Sequence, residues 1–105
     1  MKMFKHMIDN SYQKFKIPFT NLYLIRWYPN ASSKIHYHQN IECNFLVLSG
    51  KLQENVYNKL NDNGYYMVNS KILKENQSSH INNSIGEHII KNLSDTYSWS
   101  LHYYK

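Results

Sequence analysis

Short runs of β-branched and aromatic residues, broken by polar clusters, recur along the whole chain. Residues 19–28 (FTNLYLIRWY) predict a strand, closed by a turn at Pro29 and Asn30. Residues 35–38 (IHYH) predict a short strand, and residues 43–48 (CNFLVL) another, turned by Ser49 and Gly50 into a strand over 51–57. The polar stretch 58–64 (NKLNDNG) predicts a hairpin loop, after which YYMVNSKILKE reads as extended to Glu75. A turn at Glu75 and Asn76 leads into QSSHIN. The SIG turn at 84–86 then precedes EHIIKNL, and YSWSLHYY is the last strand. Residues 1–16 have no firm period. A short helix over 3–10 fits them, with a break at Asp9, Asn10 and Ser11. Short strands at regular spacing and no long helical period predict an all-β fold, a closed or two-sheeted antiparallel barrel of jelly-roll type. We expect one domain over 1–105, with a helical or irregular N-terminal extension (1–17) and a barrel (18–104).

Strand alternation places side chains more finely. His36 and His38 share a face and Tyr37 takes the other, which makes a two-toothed clamp for a metal. Two imidazoles hold a transition metal loosely, and His88 in SIGEHIIKN is the best candidate for a third ligand. On spacing alone, an HxH pair in a chain with six histidines also fits two surface residues. In the last strand, Tyr97, Trp99, Leu101 and Tyr103 form a face suited to packing on a core. Ser98, Ser100, His102 and Tyr104 form a polar face, which suits either solvent or the lining of an interior cavity.

Composition narrows the classes. A chain of 105 residues with 42% hydrophobic residues and ten tyrosines favours one packed, aromatic-rich core over disorder. The net charge of +5 is spread along the sequence, and Arg26 is the only arginine, so we read the charge as solubility and expect no nucleic-acid partner. No apolar run approaches the roughly 18 residues of a membrane span, and MKMFKHMIDN lacks the apolar segment of a secretory signal. A cytoplasmic protein without membrane association is expected. The lone cysteine, Cys43, cannot form an intrachain disulfide, which fits a reducing compartment.

The segment SSKIHYHQNIECNFLVLSGKLQENVY resembles the first cupin motif, in which HxH is followed by a spacer, an acidic ligand, six residues and Gly. Here four residues separate His38 from Cys43, and six separate Cys43 from Gly50, so cysteine occupies the acidic slot. That replacement, with KENQSSHINNSIGEHIIKN as second motif and SLHYY as closing strand, resembles the eukaryotic-type cysteine dioxygenase family over residues 21–104. Strand parity bears on the rival ligand Glu42. Cys43 shares a face with Phe45 and Val47, and Glu42 falls on the other. The resemblance implies a small cupin barrel in which His36, His38 and His88 ligate Fe(II), with L-cysteine oxidised by O2 to cysteine sulfinate. It implies a Cys43–Tyr104 thioether, with Ser100 and His102 as a relay orienting Tyr104 and Trp27 near the iron.

The pattern departs from the family at one site residue. The substrate-binding Tyr-x-Arg has as its nearest counterpart Tyr12, Gln13 and Lys14, and lysine keeps the charge but loses the two-pronged grip. Arg26 alternates with Trp27, so if Trp27 faces the pocket Arg26 does not. Relative to the family the chain starts late and stops early, at Lys105, so an open pocket and weakened activity are expected. Another small thiol such as 3-mercaptopropionate, or metal binding without turnover, are the alternatives, and zinc or nickel are rival metals. A monomer is expected. His6 and His80 match no ligand position and are expected at the surface.

Overall fold

The computed structural model describes residues 11–34, 42–62, 64–81 and 86–105. The predicted helix over 3–10, His6, the HxH pair and residues 84–85 lie outside the described residues. Eight strands follow in order: β1 (Tyr12–Lys16), β2 (Leu22–Trp27), β3 (Cys43–Ser49), β4 (Lys51–Asn61), β5 (Gly64–Lys74), β6 (Ser78–Ile81), β7 (Glu87–Asn92) and β8 (Ser98–Tyr104). They form a five-stranded sheet ordered β1-β2-β8-β3-β6 and a three-stranded sheet ordered β5-β4-β7, with antiparallel pairing throughout. The expected two-sheeted all-β architecture is therefore observed.

The core lies between the sheets. Ile25, Trp27, Phe45 and Val47 come from the five-stranded sheet and meet Leu52, Leu73 and Ile90 from the other. Alternation along β3 (buried Cys43, Phe45, Val47) and along β4 (buried Leu52, Glu54, Val56) generates this layer. Each fully buried large apolar side chain contributes roughly 1.5–3 kcal/mol. The β3–β4 reversal depends on Gly50, whose φ is +86° and whose missing Cβ would lie 1.9 Å from Ser98 Oγ on β8.

The elements differ from the sequence pattern in four places. Residues 12–16 form β1, paired to β2 from Tyr12↔Trp27 to Lys16↔Tyr23. Its period is hidden because a cation, Lys14, stands on the cavity side. The strand expected over 19–28 is shorter, since Phe19 has a φ of 64°. Thr20 bridges that turn by donating to Ile17 O at 2.7 Å and accepting from Leu22 N at 3.0 Å. The predicted loop over 58–64 is mostly ladder: Asn58, Lys59 and Asn61 pair with Tyr66, Tyr65 and Gly64, with register shifts that absorb the poor strand formers. Finally, the apolar face of β8 points outward. Tyr103 is 40% exposed, whereas Ser98, Ser100 and His102 are buried, so the polar face is the inner one.

Candidate active site

β8 lies between β2 and β3, and the register sets the site. Cys43 is directly opposite Tyr104, Phe45 opposite His102 and Val47 opposite Ser100. Directly opposed residues on adjacent strands project to the same face with Cβ atoms roughly 5 Å apart. Cys43 is therefore 1% exposed and beside Tyr104, while Glu42, one residue earlier, is exposed. The Tyr104 hydroxyl and Cys43 Sγ are hydrogen-bonded.

A chain of polar contacts runs behind the sulfur. Trp27 Nε1 donates to Ser100 Oγ at 2.9 Å, Ser100 Oγ lies 2.7 Å from His102 Nε2, and His102 Nδ1 lies 3.9 Å from Cys43 Sγ. The indole can only donate, so Ser100 Oγ accepts from Trp27 and keeps both its proton and a second lone pair for the contact with His102 Nε2. His102 is held flat against Phe45, with ring centroids 4.9 Å apart and planes 10° apart, and stacks towards Tyr104 at 6.3 Å. The Ser100–His102 pair thus ends on the cysteine as well as bordering the tyrosine.

Electrostatics follow from burial. Burial pushes the Cys43 thiol from its ordinary 9.0 up to about 12, only partly offset by Lys14 and the Tyr104 hydrogen bond. Burial also raises the Tyr104 phenol, reinforced by the neighbouring sulfur and by Tyr12. Lys14 is lowered by burial, with Cys43 acting in the opposite sense, and its ammonium sits 4.4 Å from the Tyr104 ring centroid and 4.7 Å from that of Tyr23.

These groups border a cavity of about 80 Å³ lined by Tyr12, Lys14, Trp27, His88, His102 and Tyr104, among others. That volume suits a ligand of a few heavy atoms. Tyr12 packs on Trp27 at 4.9 Å between ring centroids. His88, from β7, is 1% exposed and reaches the cavity from the opposite sheet. The structure thus brings together Cys43, Tyr104, His102, Ser100, Trp27, Tyr12, Lys14 and His88, eight of the ten candidate residues; His36 and His38 lie outside the described residues. Arg26 points away, over the rings of Tyr97 and Trp99 on the outer surface. His80 is exposed and its Nδ1 lies 2.8 Å from Asn44 Oδ1.

Sequence reasoning missed Glu54. This β4 carboxylate is 1% exposed; its Oε2 lies 2.9 Å from His88 Nδ1, and its Oε1 accepts from Ser79 Oγ at 2.5 Å with Lys71 Nζ at 3.6 Å. Burial alone would raise the Glu54 carboxyl, but the hydrogen bonds from His88 and Ser79 and the positive charge near it outweigh this and hold it below the usual range. The signal was present in KLQENVY, where Glu54 takes the same parity as Leu52 and Val56. Among the described residues no group of three His, Cys, Asp or Glu side chains surrounds one point.

The fold and this cavity define a cupin-type barrel. The cupin domain of Drosophila melanogaster CENP-C superposes with a TM-score of 0.70 at 15% identity, covering 93% of this chain and 71% of that one. Oxalate oxidase in complex with the substrate analogue glycolate gives 0.63 at 18% identity, covering 79% and 40%. Within that class the chain belongs to the cysteine dioxygenase type I family, whose model matches residues 2–105. Cysteine dioxygenase type 1 of Homo sapiens is 34% identical over 103 residues, 95% of this chain and 49% of the relative. That of Danio rerio is 32% identical over 105 residues, with the same coverage of each chain. The chain spans about half the length of the curated relatives it matches.

Proposed function

We propose that this chain carries the catalytic barrel of an iron-dependent thiol dioxygenase that oxidises L-cysteine to cysteine sulfinate with O2. The observation that carries the reading is the Cys43–Tyr104 pair, set opposite each other on adjacent strands at the edge of a cavity that His88 also lines. His88, together with His36 and His38, would hold the metal. The part of the site that the structure describes fits such a group, because a buried imidazole enters the cavity with its Nδ1 already engaged by Glu54, the arrangement usual for a metal-ligating histidine. Bound iron would lower the pKa of the substrate thiol and supply the electron transfer that a thiol and dioxygen do not undergo unaided.

The chain's own residues then bind and orient. Lys14 offers its ammonium to the substrate carboxylate from the cavity wall, and Tyr12 buttresses Trp27 beside it. Trp27 and Ser100 hold His102 in place, and His102 steadies Cys43. Tyr104 keeps its phenolic proton at neutral pH, and its side chain lines the cavity beside Cys43. The Cys43–Tyr104 thioether would form by loss of the thiol hydrogen and one ring hydrogen, two electrons and two protons in all, to dioxygen as oxidant.

A single lysine in place of a bidentate guanidinium favours weaker discrimination among small thiols, so 3-mercaptopropionate is the second substrate to test. Oxygen uptake by iron-loaded protein with L-cysteine and with 3-mercaptopropionate tests the reaction. Uptake with L-cysteine is expected, preference for 3-mercaptopropionate would reassign the substrate, and no uptake with either would leave a metal-binding module. Intact mass should show a two-hydrogen loss that Cys43→Ser abolishes while metal binding persists. Loss of the metal in Cys43→Ser would make Cys43 a ligand and end this reading.

A further inference from the structure

Of the three histidines expected as ligands, His88 is the one among the described residues, and several strands converge on it. It stands on β7 opposite Val56 of β4, and Glu54 lies two residues earlier on the same β4 face. Cross-strand neighbours on one face are close enough for direct bonding, and the His88 Nδ1–Glu54 Oε2 distance is 2.9 Å with both residues 1% exposed. An ionised carboxylate at that depth is costly unless its oxygens are occupied. Both are, since Ser79 from β6 in the other sheet donates to Oε1 at 2.5 Å and Lys71 reaches the same oxygen at 3.6 Å. Three strands besides β4 thus contribute to holding one carboxylate against one imidazole.

We propose that Glu54 is a positioning residue of the candidate metal centre: its buried carboxylate accepts the Nδ1 proton of His88, fixes that tautomer and ring orientation, and so makes Nε2 the lone-pair nitrogen available for a metal. A carboxylate accepts and cannot donate, so a neutral His88 bonded to it carries its proton on Nδ1. The negative charge also offsets part of the metal's double positive charge, which three neutral imidazoles leave uncompensated. The inference rests on the reading of His88 as a ligand, and it assigns a role to the one fully buried acidic side chain among the described residues.

Two measurements test it without turnover. The first is ¹⁵N–¹H correlation of metal-free protein labelled at histidine nitrogens, with the His88 signals assigned by their loss in His88→Ala. His88 is expected as the Nδ1–H tautomer, and an Nε2–H tautomer or rapid exchange between the two overturns the proposal. The second is titration with Co(II) of the wild type, Glu54→Gln and Ser79→Ala. Glu54→Gln is expected to weaken binding about 10- to 100-fold, the usual consequence of losing a partner behind a ligating histidine, and Ser79→Ala to weaken it less. Affinity unchanged in Glu54→Gln overturns the proposal. Should Glu54→Gln not fold, the wild-type tautomer and Ser79→Ala decide, since unchanged affinity in Ser79→Ala together with a mixed tautomer has the same force. His88→Ala separates the two levels, because Co(II) binding that survives it removes His88 from the ligand set and with it the underlying reading, whatever the tautomer.

Discussion

β8 and β5 treat their side chains in opposite ways. β8 (SWSLHYY) turns Ser98, Ser100 and His102 inward at 0–3% exposure and leaves Tyr103 40% exposed. β5 (GYYMVNSKILK) leaves Tyr65, Tyr66, Met67 and Val68 at 43–50% exposure and buries only Leu73. The difference is one of place. Among the described residues, β8 is the middle strand of five and contributes to the wall of the cavity, whereas β5 is an edge strand paired on one side. A central strand that buries polar groups must satisfy each of them, and the Trp27–Ser100–His102–Cys43 chain together with the Ser98 Oγ bond to Asn92 Oδ1 does so. Hydrophobicity on β5 carries no such obligation. Buried polarity, more than any apolar pattern, therefore marks the candidate site of this barrel.

The strongest way to break the contrast is to crowd β8 from behind. Gly50→Ala puts a methyl 1.9 Å from Ser98 Oγ and 2.7 Å from Ser98 Cβ in a left-handed backbone, and should cost roughly 2–5 kcal/mol from strain and overpacking together. Urea denaturation measures it, and a loss under ~1 kcal/mol would mean that β8 is not held against the β3–β4 turn. Ser100→Ala should come next. It leaves the Trp27 indole N–H and His102 Nε2 without the hydroxyl between them, at about 1–3 kcal/mol, although an alanine is smaller and more apolar. A neutral or stabilising Ser100→Ala would show that the inner face of β8 tolerates apolar residues as β5 does.

The contrast sharpens with pH. Cys43 is raised in the folded state from 9.0 to about 12, so the folded protein keeps a proton that the unfolded chain releases. Its contribution to stability is full below about pH 9 and is lost as pH rises from there toward 12, with Tyr104 acting in the same sense and Lys14 in the opposite one. In wild-type protein whose intact mass shows no Cys43–Tyr104 bond, the denaturation midpoint should therefore fall further between pH 8 and pH 10.5 than in Cys43→Ser. Equal falls would remove the buried thiol as the cause. Glu54, lowered in the folded state, stabilises above its ordinary 4.5 and loses that contribution as pH drops below it.

How much of this the sequence discloses depends on the same distinction. β3, β7 and β8 are legible because turn residues bracket short apolar or alternating runs, and parity alone separates buried Cys43 from exposed Glu42. The site residues on those strands are legible through the HxH-to-Gly50 spacing and the SLHYY ending. β1 is not, because Lys14 occupies a cavity-facing position that hydrophobic periodicity reads as surface. The inward turn of the β8 serines is ambiguous for the same reason, since apolar pattern assigns Trp99 and Leu101 to the core. Glu54 escapes notice because a charged residue at core parity makes sense only once His88, Ser79 and Lys71 are brought around it from distant parts of the chain. The long β4–β5 ladder escapes it because cross-strand bonds carry Asn58, Lys59 and Asn61 despite their poor strand propensity.

The smallest effect is expected on β5 itself. Met67 is 50% exposed on an edge strand, opposite Tyr57, so Met67→Ser removes little buried area and should change stability by no more than about 0.5 kcal/mol. Equilibrium denaturation at two protein concentrations tenfold apart measures this. A loss above ~1 kcal/mol at both concentrations would mean that the side chain packs within the molecule, and β5 would then obey the same burial rule as β8. A loss that appears only at the higher concentration would instead mean that the exposed row is covered by a second copy. In that case the difference between the two strands would lie in what each is packed against, with β8 covered by its own barrel and β5 by another molecule.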